Sequence, residues 1–111
     1  MRTASPVLSA PAQSALSLLG ALIKGARKER AMSQAGLAER LGVSRHTVMA
    51  LERGDPKVAV GTVFEAAAVV GVPLVAPDER ELARLSGAVA GLASVLPERA
   101  GRKRTRLDDD F

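Results

Sequence analysis

Apolar residues recur at helical spacing along most of this chain, and glycine, proline and polar gaps divide them into five stretches. Leu16, Leu19, Ile23 and Ala26 share one face and predict a first helix through about Arg30, weakened by Gly20 and Gly25. Leu37, Ala38 and Leu41 predict a second helix, and Val48 and Leu51 a third. Gly42 lies between them as the turn residue, because two helices joined this closely need a left-handed residue, which glycine adopts without a Cβ clash. Ser33 and Ser44 stand where N-caps are needed, so the third helix begins at Arg45. Gly54-Asp55-Pro56 ends it, and a loop follows to about Ala59. Val60 to Val70, almost wholly apolar and containing Phe64, predicts a central core helix closed by Gly71. Asp78, with Glu81 three residues on, caps a fifth helix to about Leu96.

This pattern predicts an all-α chain with one domain and two tails. Residues 1–14, rich in Ala, Ser and Pro, are expected to be a disordered arm. Residues 15–75 form the domain, 76–97 a C-terminal helix and 98–111 a charged, disordered tail. Within the domain, a short helix, a glycine turn and another short helix make a helix-turn-helix. By themselves, Arg45, His46 and Met49 read as the solvated face of an amphipathic helix.

The surrounding frame changes that reading. Ala38, Gly42, Arg27 ahead of the Ser33-Gln34 helix start and the ending Leu51-Glu52-Arg53-Gly54 are spaced as in a known group of regulators. From about Leu16 to Leu74 the chain resembles the lambda-repressor-like, or XRE, helix-turn-helix family. The resemblance implies a five-helix DNA-binding domain whose third helix enters the major groove. Arg45, His46, Met49 and Ala50 would then face base edges, while Gln34, Ser44, Thr47 and Arg53 would hold phosphates. It also implies that Arg27 and Glu52 pair inside the domain. One position departs from the family pattern: Gly36 stands where an acidic residue is usual, so the capping box is missing and Ser33 caps alone. A marginal second helix is expected.

Charge supports a polyanionic partner. The chain has 111 residues and a formal net charge of +4. Its first 57 residues hold nine Lys or Arg against four Asp or Glu, whereas residues 58–97 hold two against four. The positive field therefore sits with the helix-turn-helix. No cysteine is present, which excludes disulfides and thiolate metal sites and fits a reducing, cytoplasmic setting. The apolar stretch from Val58 to Ala76 contains Glu65, Gly61, Gly71 and Pro73 and reads as a buried helix, not a membrane span. With His46 the sole histidine and no phosphate-binding glycine loop, no enzyme, cofactor or metal is expected. Tyr and Trp are absent, so stacking platforms for single strands are missing and duplex DNA is the better ligand.

The fifth helix carries Leu82, Leu85, Val89, Leu92 and Leu96 at alternating spacings of three and four, the seam of a coiled coil and a candidate homodimer interface. The same stripe equally suits closure of the monomer core. Ala83, Gly87 and Gly91 form a second stripe that permits close helix approach. Beyond it, basic Arg102, Arg104 and Arg106 precede Asp108, Asp109, Asp110 and the terminal Phe111. That tail reads either as a solubilising extension or as a partner-binding segment anchored by Phe111. Together the domain and tail resemble HipB-type antitoxins, which implies autoregulation as a homodimer on a pseudo-palindromic operator and a HipA-like serine/threonine kinase toxin as partner. The alternative is a free-standing XRE-family regulator, phage-type or metabolic, without a toxin.

Overall fold

The computed structural model describes residues 7–98, and all regular structure among them is helical. The five helices are α1 (Ala10–Glu29), α2 (Gln34–Leu41), α3 (Arg45–Glu52), α4 (Val60–Val70) and α5 (Glu79–Val95). Two compact units result, one ending at Leu74 and the other beginning at Val75.

The first unit is built on small and branched side chains. Ile23 of α1, Leu37 of α2, Val48 of α3 and Val70 of α4 are wholly buried in one cluster, with Leu51, Val63, Ala66 and Ala67 beside them. Leu19, Ala26, Leu41, Val43 and Val72 pack against its edge. Most positions on the predicted faces are thus core positions, as a 3.6-residue period requires.

Helix α1 starts earlier than composition suggests. Residues 10–14, expected to be disordered, are its first turns. The Ser9 side chain accepts from the Ala12 N–H at 3.3 Å, and Pro11 occupies the first turn, where a missing N–H removes no helical hydrogen bond. An Ala/Ser/Pro composition can therefore be a helix start as well as an arm. Residues 1–6 lie outside the described residues.

Ser33 caps α2 alone, accepting from the Gly36 N–H at 2.9 Å. Gly42 then takes φ +71° and closes the helix. Gly71 does the same for α4 at φ +82°. Phe64 departs from the expected core role, because it is 50% exposed, and Val60 is 68% exposed. The buried stripe of α4 runs through Val63, Ala66, Ala67 and Val70, and Phe64 lies about 100° round the helix from Val63.

Gly20 also reads differently in three dimensions. It is buried, and a Cβ there would lie 2.6 Å from the Leu51 carbonyl oxygen and 2.7 Å from that of Glu52. This glycine lets α1 approach the backbone of α3 closely. Gly25 meets nothing within 4 Å and has no such role.

In the second unit, the Asp78 carboxylate caps α5 by accepting from the Glu81 N–H at 2.8 Å. Arg84 then pairs with Glu81 along the exposed helix surface, and its guanidinium holds the Glu81 carboxyl below the usual carboxylate range. No residue of α5 is buried. Leu82, Leu85, Ser86, Val89 and Ala93 line a shallow apolar groove, with Leu92 and Leu96 exposed to one side. The groove face is therefore turned slightly from the predicted seam, and Leu96 lies one residue beyond the helix as its C-cap.

Candidate nucleic-acid interface

The two short helices are fixed by local chemistry. The Gly42 N–H donates to the Glu39 carbonyl at 3.3 Å and the Val43 N–H to that of Ala38 at 3.0 Å, which satisfies the end of α2. Two residues later the Ser44 hydroxyl accepts from the Thr47 N–H at 3.1 Å and stands 3.0 Å from the Thr47 hydroxyl. Helix α3 thus leaves the turn with a defined axis and phase. Val48 and Leu51 face the core. That phase puts Arg45, His46 and Met49 on the exposed side, Met49 at 37% exposure.

At its other end α3 closes with a double hydrogen bond. The Gly54 N–H donates to the Leu51 carbonyl at 3.1 Å and the Asp55 N–H to that of Ala50 at 3.0 Å, with Gly54 at φ +78°. Asp55 then organises the following turn. Its Oδ1 accepts from the Lys57 N–H at 2.9 Å, while Oδ2 lies 3.5 Å from the exposed Arg53 guanidinium. Such an exposed pair is weak, so Arg53 is available to an anion.

Beneath the exposed face lies a buried charge network. Arg27 Nε donates to Glu52 Oε2 at 2.6 Å and Arg27 Nη2 to Oε1 at 3.2 Å, a two-pronged pair between α1 and α3. Arg27 Nη1 donates to the Met32 carbonyl at 2.7 Å, tying in the segment ahead of α2. Gln34, which the family resemblance assigns to phosphate, has its amide Nε2 on Glu52 Oε1 at 3.1 Å. As the first residue of α2 it is half-buried beside a carboxylate that has lost its water, and it supplies a further donor. Gln34 thus also joins the network inside the domain, through one of its two amide N–H donors.

Ala50 lies deeper than Arg45, His46 and Met49 on the reading helix. It is only 7% exposed and lines a groove beside α3. The groove has a volume of about 390 Å³, and His46, Thr47, Arg53, Lys57 and Thr62 are among the residues that line it. Lys57 and Thr62 were not singled out from sequence. Lys57 lies in an irregular loop and Thr62 in an apolar helix, so only the tertiary fold could join them to the groove beside the reading face. Ser44 and Thr47 lie at the N-terminal end of α3, and Arg53 at its C-terminal end. Arg102, Arg104, Arg106 and Phe111 lie outside the described residues.

The exposed set can perform two tasks. A guanidinium at the helix N-terminus can donate twice to guanine O6 and N7, and the cations at the other end can hold phosphates that set register. No helix among the described residues is long and apolar enough to cross a membrane.

Comparison with known proteins agrees with this geometry. No curated protein matches the chain. A family described as a helix-turn-helix domain matches residues 18–83, more than half of the sequence, from within α1 into α5 and across every residue of the interface described above. The capped pair α2–α3, its exposed basic face and this match establish that the chain belongs to the helix-turn-helix domain family and has the DNA-binding fold of such regulators.

Proposed function

We propose that the chain is a cytoplasmic, non-catalytic transcriptional repressor that binds a specific duplex operator as a homodimer. The observation that carries this reading is the outward display of Arg45, His46 and Met49 from a helix whose opposite side is locked in the core. Arg45, one residue after the Ser44 cap, is the base-reading residue, and His46 and Met49 shape the contact beside it. Arg45→Ala should weaken operator binding by about 1–3 kcal/mol and relax preference at one position per half-site. Because Arg45 is exposed, thermal stability should change little. Selection of binding sites from random duplexes checks this, and an unaltered consensus would remove Arg45 from readout.

Dimer formation through α5 completes the reading. A single module of this size buries too little surface for typical operator affinity, and two half-sites about one turn apart supply the rest. The exposed apolar groove on α5 supports this interface. Leu85→Lys combined with Val89→Lys should give a folded monomer with weakened operator binding, measured by light scattering and duplex titration. A protein that is monomeric in its unmodified form, with and without operator, would rule the interface out.

The basic-then-acidic tail ending in Phe111 supports a more specific role, that of an autoregulating antitoxin for a HipA-like kinase. A short charged segment draws its affinity from a few strong contacts, and Phe111 is the aromatic anchor available there. The competing role is a free-standing regulator. Co-purification of the native protein with its bound partners separates them, since a kinase-sized companion is expected only for the antitoxin.

A further inference from the structure

The first two turns of α1 precede residue 18, where the family match begins, yet they touch the end of the reading helix. Gln13 is half-buried, and its Nε2 donates to the Gly54 carbonyl oxygen at 2.9 Å and to Ser17 Oγ at 3.0 Å. Ser17 lies against Gly54 so tightly that a Cβ on Gly54 would be 2.7 Å from the Ser17 Cα. This chain therefore braces its recognition helix with residues lying outside the matched family domain.

The bond acts on one particular peptide group. The peptide joining Gly54 to Asp55 has its N–H on the Ala50 carbonyl and its carbonyl on Gln13, so both of its polar groups are held. Asp55, the next residue, positions the Lys57 backbone and pairs with Arg53. Arg53 and Lys57 are the Lys and Arg residues that line the groove beside α3. From this linkage we infer that Gln13 is a positioning residue for DNA binding, which holds the Gly54–Lys57 turn in the orientation that presents Arg53 and Lys57 to phosphates.

The inference rests on the duplex-binding reading, but part of its test does not. Without the Gln13 donor the 54–55 peptide is held through its N–H alone, and a smaller fraction of molecules presents the turn correctly. Apparent affinity falls in proportion to that fraction. Loss of one ordinary hydrogen bond corresponds to about a threefold to tenfold weakening. Because phosphate contacts carry no sequence information, operator and random duplex should weaken alike and selectivity should be unchanged.

The experiment uses the full chain carrying Gln13→Met, which keeps the side-chain length and helix propensity and removes the donor. Duplex titrations are run at a temperature where circular dichroism shows the variant as helical as the unmodified chain. Amide hydrogen exchange at Asp55 and Lys57 is measured on the free protein. The expected result is faster exchange at those amides with about threefold to tenfold weaker binding to both duplexes. Ser17→Ala, which removes the other acceptor of Gln13 and leaves the Gly54 bond, should behave as the unmodified chain. Unchanged exchange, unchanged affinity despite faster exchange, or an equal loss in Ser17→Ala each overturns the inference. Should the unmodified chain bind no duplex, the DNA reading fails, and the exchange measurement still decides whether Gln13 holds the turn.

Discussion

Glu52→Ala should remove much or all of the stability of the helix-turn-helix domain. The reason is the stranded partner. Arg27 and Glu52 are both buried, and removing the carboxylate leaves a guanidinium in the core with only the Met32 carbonyl as acceptor. Breaking such a pair from one side costs about 3–5 kcal/mol. A domain of this size has a total stability of roughly 3–10 kcal/mol at 0.05–0.15 kcal/mol per residue, so the loss consumes much or all of it. Gln34 loses its acceptor in the same variant, which adds to the effect. Replacing both charges, Arg27→Met with Glu52→Leu, should recover most of the stability, because no unpaired charge then remains buried. Urea unfolding of the three proteins checks this. If Glu52→Ala unfolds within about 1 kcal/mol of the unmodified chain, the linkage between α1 and α3 lies elsewhere.

Gly20→Ala should also destabilise the domain, against the direction that helix propensity gives. Alanine is favoured over glycine by about 1 kcal/mol inside a helix. At Gly20, however, the added Cβ would sit 2.6 Å and 2.7 Å from two carbonyl oxygens of α3, and these are backbone atoms that cannot move aside independently. Forcing helices apart in a packed core costs typically 1–3 kcal/mol or more, so the clash outweighs the propensity gain. Gly25→Ala is the internal control, exposed and with open space around it. It should stabilise the chain by about 1 kcal/mol. Thermal unfolding should therefore shift in opposite directions for two identical substitutions five positions apart. A stabilised Gly20→Ala protein would mean that α1 and α3 are further apart than the structure places them.

Gly20 shows where sequence reasoning stops. From the chain alone it and Gly25 look the same, two glycines that weaken a helix. Distinguishing them takes the position of the Leu51 and Glu52 carbonyls, more than thirty residues beyond Gly20. Gln13, Gln34, Phe64 and Ala50 are similar cases. Gln13 falls within a stretch whose composition suggests disorder, and its partner Gly54 is 41 residues away. Gln34 is placed on phosphate by resemblance, and only the fold shows that its amide also donates to the Glu52 carboxylate. Phe64 is the largest apolar residue of α4, yet the core selects smaller residues one position round the helix. Even the end of α1 gives no glycine signal, since Ala31 takes the left-handed conformation there at φ +54°.

Features set within three or four residues were legible. Ser33, Gly42, Ser44, Gly54, Gly71 and Asp78 each mark a helix boundary, because a cap or a left-handed turn depends on neighbouring backbone groups and on the residue itself. The apolar period likewise determined the all-α class and the faces that bury Ile23, Leu37, Val48 and Leu51. Tertiary structure alone decided how close α1 lies to α3, which side chain completes the Arg27–Glu52 pair, and that Lys57 and Thr62 wall one groove with Arg53. The reason is physical: caps and periodicity are short-range properties of a single segment. Close approach, desolvation of a charge and a shared groove arise only between segments, after their relative positions are fixed.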